Sequence, residues 1–325
     1  MAWRRRLPGA VLVVVGLGLL ALPGVADNYV VYVVTRLFVY VLVALGLNLL
    51  TGYAGQVSLG HAAFFAIGAY TAAVLAERQW PSVLCLVAAA LFTALVGYLL
   101  GLPCLRLSGL YLAMATLGFT LIVQEMLLQL AVLTHGSEGM KVAPASLLGL
   151  TFDSDTRKYY LLLVVTVAML LFARNLVSGR MGRAFLAIRD NERAAAAMGV
   201  NLARYKTIAF ALSALYTGLA GALSAFIVGF LDPQEFSFFL SIQFITIIIL
   251  GGLASLLGSV LGACFLIFLP ELLAGLDVWQ ALVYGLIMVV TILFMPFGLS
   301  GALRRYAFRW FGIGSEPMIP RRLGH

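Results

Sequence analysis

Runs of apolar residues of bilayer-spanning length alternate with short polar breaks along nearly the whole chain. A transmembrane helix needs roughly 17–25 predominantly apolar residues. Ten segments fit, at about 7–25, 30–50, 58–76, 82–102, 109–133, 159–174, 207–230, 238–254, 256–274 and 279–297. The runs are unbroken rather than alternating, which excludes an outer-membrane β-barrel. The eighth and ninth meet at the glycine-rich GGLASLLGS with almost no loop between them. The expected fold is an all-α polytopic membrane protein with about ten transmembrane helices. It forms a single membrane-spanning domain over residues 1–325, interrupted by one long polar segment at 175–206 and a second at 134–158.

Composition agrees: 63% of residues are hydrophobic and 10% charged, where a soluble domain carries about 25% charged residues. Cys85, Cys104 and Cys264 lie isolated in apolar runs, so neither a disulfide framework nor a metal site is expected. At the N-terminus, MAWRRR, an apolar run and GVAD fit two readings, a signal peptide cleaved after Ala26 and an uncleaved first helix. The uncleaved helix is the favoured one, and the topology of the rest is the same for both.

Charge fixes the sidedness. With both termini cytoplasmic, the inside segments hold Arg4, Arg5, Arg6, Arg106, the seven basic residues of 174–206 and the five beyond residue 303, sixteen of the 21 in all. Arg78, Lys141, Arg157 and Lys158 fall outside, together with nine of the acidic residues. Such a bias is the signature of positive-inside topology. It also accounts for the net charge of +8 without nucleic acid as a partner; the surrounding partner is membrane lipid.

Polar groups inside spans are functional candidates, because each must find a partner or water. The densest set is NLLTGYAGQVSLGHAAF from residue 48, with Asn48, Gln56, Ser58 and His61; its glycines break the helix between the second and third spans. Irregular backbone at membrane depth must be buried in protein or line a cavity, so the cluster either lines a solute path or forms a glycine-mediated packing corner. Arg36 and Glu125 are the two charges well inside spans. Both lie roughly 10 Å deep from the same face at 1.5 Å per residue, so they are a candidate intramembrane ion pair. A weak likeness links GYAGQVSLGHA, from Gly52, with GGLASLLGSVLGA, from Gly251.

The three histidines lie far apart, and no metalloprotease or serine-hydrolase motif is present; the chain is not expected to be an enzyme. None of its three lysines follows a glycine, so it holds no nucleotide-binding loop of its own. An ATP-driven process would need a separate ATPase, contacting a cytoplasmic element. The basic stretch offers one in DNERAAAAMG: Asp190 or Asn191 as cap, Glu192 in the first turn, four alanines and Gly199 as the stop.

RDNERAAAAMGVNLARYKTIAFALSA resembles the coupling segment of ATP-binding-cassette importer permeases, specifically the branched-chain amino acid permease family. GLNLLTGYAGQVSLGHAAFFAIGAYTAA, LRLSGLYLAMATLGF, GGLASLLGSVLGA and MPFGLSG resemble that family's segments in its order, over roughly residues 40–300. Among its members the chain looks like the second of the two permeases rather than the shorter partner. The resemblance implies a heterodimer with a second permease subunit, two ATPase subunits and a periplasmic solute-binding protein, in a bacterial inner membrane. It implies no cofactor bound by this chain, ATP being used by the partners. Against the importer pattern of Glu-Ala-Ala, three residues, then Gly, the match is Arg193, Ala194, Ala195 and Gly199, with the glutamate displaced to Glu192. Arg189 and Asp190 flank this ATPase-coupling segment. The expected solute is a branched-chain or other hydrophobic amino acid. Urea or short amides within the class, and a stand-alone channel or secondary carrier outside it, are the alternatives.

Overall fold

The computed structural model describes residues 7–143, 146–147, 150–151, 154–273, 275, 279–294 and 298–303. The basic residues of both termini that entered the charge count lie outside this range. Each predicted span is occupied by an apolar helix. Their order is α1 (Leu7–Val25), α2 (Asn28–Leu47), α3 (His61–Glu77), α4 (Ser82–Cys104) and α5 (Leu110–Gln129), then α7 (Asp155–Ser178), α10 (Leu202–Val228), α11 (Phe238–Gly251), α12 (Leu256–Leu272) and α13 (Gln280–Phe294). Between them lie three short helices, α6 (Ala131–Thr134), α8 (Arg180–Asp190) and α9 (Glu192–Ala197). α2 continues as a π-helical stretch (Asn48–Tyr53). Five of the ten, namely α2 with its extension, α4, α5, α7 and α10, are long and apolar enough to cross a membrane by themselves; the others are shorter.

Two helices are internal. The apolar windows of α2 and α10 are 78% and 67% buried, against 28–33% for α4, α5 and α7. Small residues let the backbones approach, as membrane helices require when no hydrophobic force separates lipid from protein. A Cβ on Gly68 of α3 would lie 2.1 Å from the Gly218 carbonyl oxygen of α10, and one on Gly221 would lie 2.0 Å from that of Phe65. The α11–α12 turn closes the same way: a Cβ on Gly251 would meet the Gly258 carbonyl at 1.9 Å.

At one end of the bundle, short strands β1 (Met140–Lys141) and β4 (Phe230–Leu231) pair antiparallel, and β2 (Ser146–Leu147) pairs with β3 (Leu150–Thr151). The polar segment at 134–158 carries the first three of these strands among its described residues, and α7 begins within it at Asp155. The larger correction concerns 175–206. Expected as a polar segment with one short helix, it is helical almost throughout. Gly182, Ala184, Phe185 and Ile188 of α8 are buried, a three-to-four-residue spacing that lays one face of this arginine-rich helix on the protein.

Candidate functional site

The glycine-rich break between α2 and α3 is closed by side chains from four other helices. Asn48 Nδ2 donates to the Ser255 carbonyl at 2.9 Å and to Ser259 Oγ at 2.8 Å, while its Oδ1 accepts from the Ala254 N–H at 2.9 Å. A single amide thereby pins the break to the α11–α12 turn. Gly52 must lack a side chain here, since a Cβ would sit 1.8 Å from Asn48 Oδ1 and 2.6 Å from the Ala254 nitrogen. The two glycine-rich stretches that resemble each other in sequence are therefore in contact.

The remaining groups follow the same logic. Thr51 Oγ1 donates to the Gln56 carbonyl at 3.0 Å, Gln56 Nε2 to the Ala54 carbonyl at 3.4 Å, and the Gly60 N–H to Ser58 Oγ at 3.2 Å. α5 holds Leu59 from both sides: Thr116 Oγ1 accepts from its N–H at 2.9 Å and Thr120 Oγ1 donates to its carbonyl at 3.0 Å. His61 Nε2 lies 2.6 Å from Ser213 Oγ of α10, and the Ala62 N–H donates to Ser241 Oγ of α11 at 3.0 Å. Asn48, Gln56, Ser58 and His61 are all buried. Each uses polar atoms on neighbouring protein, the requirement for irregular backbone in lipid; His61 Nδ1 alone among these side chains is buried without a partner.

The basic stretch docks directly on this break. Arg189, near the end of α8, donates from one guanidinium nitrogen to the Gly52 carbonyl at 2.9 Å and lies beside Asp190 at 3.5 Å. Its Cα would be 3.2 Å from a Cβ on Gly55, which has φ +70°. A side chain at Gly55 would both strain the backbone and push α8 away. α9 follows with Asn191 as its cap, the Asn191 Oδ1 accepting from the Ala194 N–H at 3.0 Å. Gly199 takes φ +83° just beyond the helix end. Glu192 reaches back to the buried Lys206 Nζ at 2.7 Å.

This arrangement sorts the candidate coupling residues. Arg189 and Glu192 are bonded back to the protein through Gly52 and Lys206, although Arg189 stays partly exposed; Ala195 is buried and Asp190 exposed. Arg193, Ala194 and Gly199 are exposed, as are Ala196, Ala197 and Met198, the last 85% exposed. Ala196 and Ala197 belong to the four alanines that the sequence already offers as a contact surface; Met198, an exposed apolar side chain at the end of α9, is the one that reading does not single out.

Arg36 and Glu125 are not brought together. Glu125 is exposed on α5 and accepts from Gln129 Nε2 at 2.8 Å. Arg36 lies on α2, which packs against α7, α10 and α12. Equal depth along two helices places two residues at one level and says nothing about which way each faces. Among the described residues no ion pair or hydrogen bond reaches the Arg36 side chain. A charge of this kind at the centre of a span costs roughly 2.5–3.5 kcal/mol.

A bundle of apolar helices with two internal members and a helical break sealed by protein is an all-α polytopic membrane architecture, as a permease subunit requires. The chain belongs to the family described as the permease component of branched-chain amino acid transport systems, which it matches over residues 29–293. It is 36% identical over 307 residues to the high-affinity branched-chain amino acid transport system permease protein LivM of Salmonella typhimurium, covering 86% of this chain and 72% of that protein. Its identity to LivM of Escherichia coli strain K12 is 35% over the same coverage. A more distant relative is the autoinducer 2 import system permease protein LsrC of Escherichia coli strain SMS-3-5, 28% identical over 155 residues, 44% of this chain and 45% of that one. No solved structure matches.

Proposed function

We propose that the chain is one of two permease subunits of an ATP-binding-cassette importer in a bacterial inner membrane. With a partner permease it forms the path for branched-chain or other hydrophobic amino acids delivered by a periplasmic binding protein. Two separate ATPase subunits supply the energy; this chain binds no nucleotide. Both termini and the 175–206 segment face the cytoplasm, where α8 and α9 receive the ATPase. The 48–61 break is read as a packing corner rather than the solute path, since Asn48 spends all its hydrogen-bonding groups holding the turn at 254–259.

The observation that carries this reading is the way α9 is mounted. Its exposed surface of Arg193, Ala194, Ala196, Ala197 and Met198 consists mostly of small side chains that a partner can approach closely. Its inner side is bonded to the transmembrane core through Glu192–Lys206, and α8 is bonded there through Arg189–Gly52. A displacement of α9 is thereby passed to the break between α2 and α3.

Met198→Glu and Ala197→Arg test the docking. Interface anchors contribute about 2 kcal/mol or more each, so leucine uptake should fall at least tenfold while membrane insertion and pairing with the second permease stay normal. Unchanged uptake with either variant would remove α9 as the docking element. ATP-independent uptake by the wild-type chain alone would favour a stand-alone carrier instead.

A further inference from the structure

Between residues 31 and 50, α2 and its extension are buried at every position except Tyr32, Arg36 and Tyr40. These three recur at every fourth residue and form one stripe on the helix. The stripe lines a cavity of about 370 Å³ between α2, α3, α10 and α11, within the range of roughly 300–1,000 Å³ usual for small-molecule sites. On the facing side stand Phe65 and Phe236, with ring centroids 6.0 Å apart, and Glu235 in the turn before α11.

Arg36 is unusual because it lies within a span and is unused, and Glu235, exposed in the turn that borders the cavity, is unused as well. Among the described residues, neither the Arg36 guanidinium nor the Glu235 carboxylate makes a hydrogen bond or ion pair, with each other or with any other group. Glu271, across a second cavity that Arg36 also lines, differs in accepting the Tyr29 hydroxyl. A cation held within a span with no protein partner, near a free carboxylate and an aromatic wall, lacks one component: a solute with both charges and an apolar body.

We propose that this cavity is a binding station for one zwitterionic aliphatic amino acid. Arg36 takes the α-carboxylate with its fork of donors, Glu235 takes the α-ammonium, and the alkyl side chain lies against Phe65 and Phe236. The balanced pair of charges selects zwitterions over solutes that carry one net charge, because either singly charged analogue leaves one of the two protein charges unpaired. The proposal rests on the importer reading above and adds to it the place where this subunit holds the solute.

The test uses the complete transporter in nanodiscs, without its soluble binding protein, and Ser224→Cys as a reporter in the cavity wall. The rate of cysteine alkylation is measured with leucine, with 4-methylpentanoate, which lacks the ammonium, and with 3-methylbutylamine, which lacks the carboxylate. Leucine should slow alkylation at least fivefold and the two analogues less than twofold. Arg36→Gln or Glu235→Gln should abolish protection by leucine, and Arg36→Lys should restore part of it. Protection that persists in both glutamine variants, or equal protection by all three solutes, would overturn the assignment. So would an Arg36 effect that follows the anionic lipid content of the nanodisc and not leucine, since the guanidinium would then serve a headgroup phosphate. ATP-driven leucine uptake by the wild-type transporter, measured in parallel, separates the two levels. If uptake occurs and protection does not, this site is wrong and the importer reading stands; if uptake itself is absent, the importer reading has failed.

Discussion

The two polar regions of the membrane domain solve opposite problems. In the break at 48–62, the backbone leaves the helix and Thr116, Thr120 and Ser241 return to satisfy it, while Ser213 and Ser259 bond the side chains of His61 and Asn48. In the cavity beside Arg36, the backbone is regular and it is the side-chain charges that are left without protein partners. A satisfied polar network stabilises one structure and offers nothing to a passing solute. An unsatisfied one costs stability and is kept where something else completes it. Substitutions in the first region should therefore change folding, and those in the second should change solute handling.

The largest effect is expected at Asn48. Asn48→Leu preserves bulk and removes three hydrogen bonds, leaving the part-buried Ala254 N–H with no acceptor. An orphaned buried donor costs about 1–3 kcal/mol, and with the lost bonds the total should reach about 3 kcal/mol. Thermal unfolding of the purified transporter should report a clear loss and expression should fall. A variant as stable as wild type would return Asn48 to the list of path residues.

Arg189 tests the boundary between the regions of force and of packing. Arg189→Gln removes a charge-assisted hydrogen bond to the Gly52 carbonyl, an interaction worth about 1.5–3 kcal/mol. Because Arg189 is partly exposed, the loss should appear in coupling more than in folding. Leucine transported per ATP hydrolysed should drop roughly tenfold, the equivalent of about 1.4 kcal/mol, while hydrolysis continues. A parallel fall in hydrolysis and uptake would mean that Arg189 acts in ATPase docking itself and not in relaying movement to the break.

Much of this was legible in the sequence, and what was not has a common cause. Hydropathy located all ten apolar helices, since lipid forces each span to be apolar over its own length. The cap at Asn191 and the stop at Gly199 were likewise local signals. α8 was missed because its arginines outweighed its spacing, although Gly182, Phe185 and Ile188 already carried a helical period. The bonds from Asn48 reach residues more than 200 positions away, and no local pattern encodes them. The Arg36–Glu125 pairing failed on direction: counting residues gave depth, and only packing reveals that α2 turns Arg36 toward α3, α10 and α11. The recurrence of Tyr32, Arg36 and Tyr40 was present in the sequence, but its meaning depends on every other face of α2 being buried.

The smallest expected effect sharpens the contrast most. Replacing a buried, bonded polar residue should destabilise, so Arg36→Gln would be damaging if the guanidinium had a structural partner within the chain. With none among the described residues, the substitution removes a charge from the membrane and loses no bond in return. The cost of such a charge falls from its mid-span value as the residue nears the interface, and Arg36 sits in the N-terminal half of its helix. A change of at most about 1 kcal/mol is expected, in the stabilising direction, read as an unchanged or raised melting temperature. A drop of several degrees would place Arg36 in the structural network with Asn48. A stable Arg36→Gln transporter that no longer protects its cavity with leucine would keep the two regions apart.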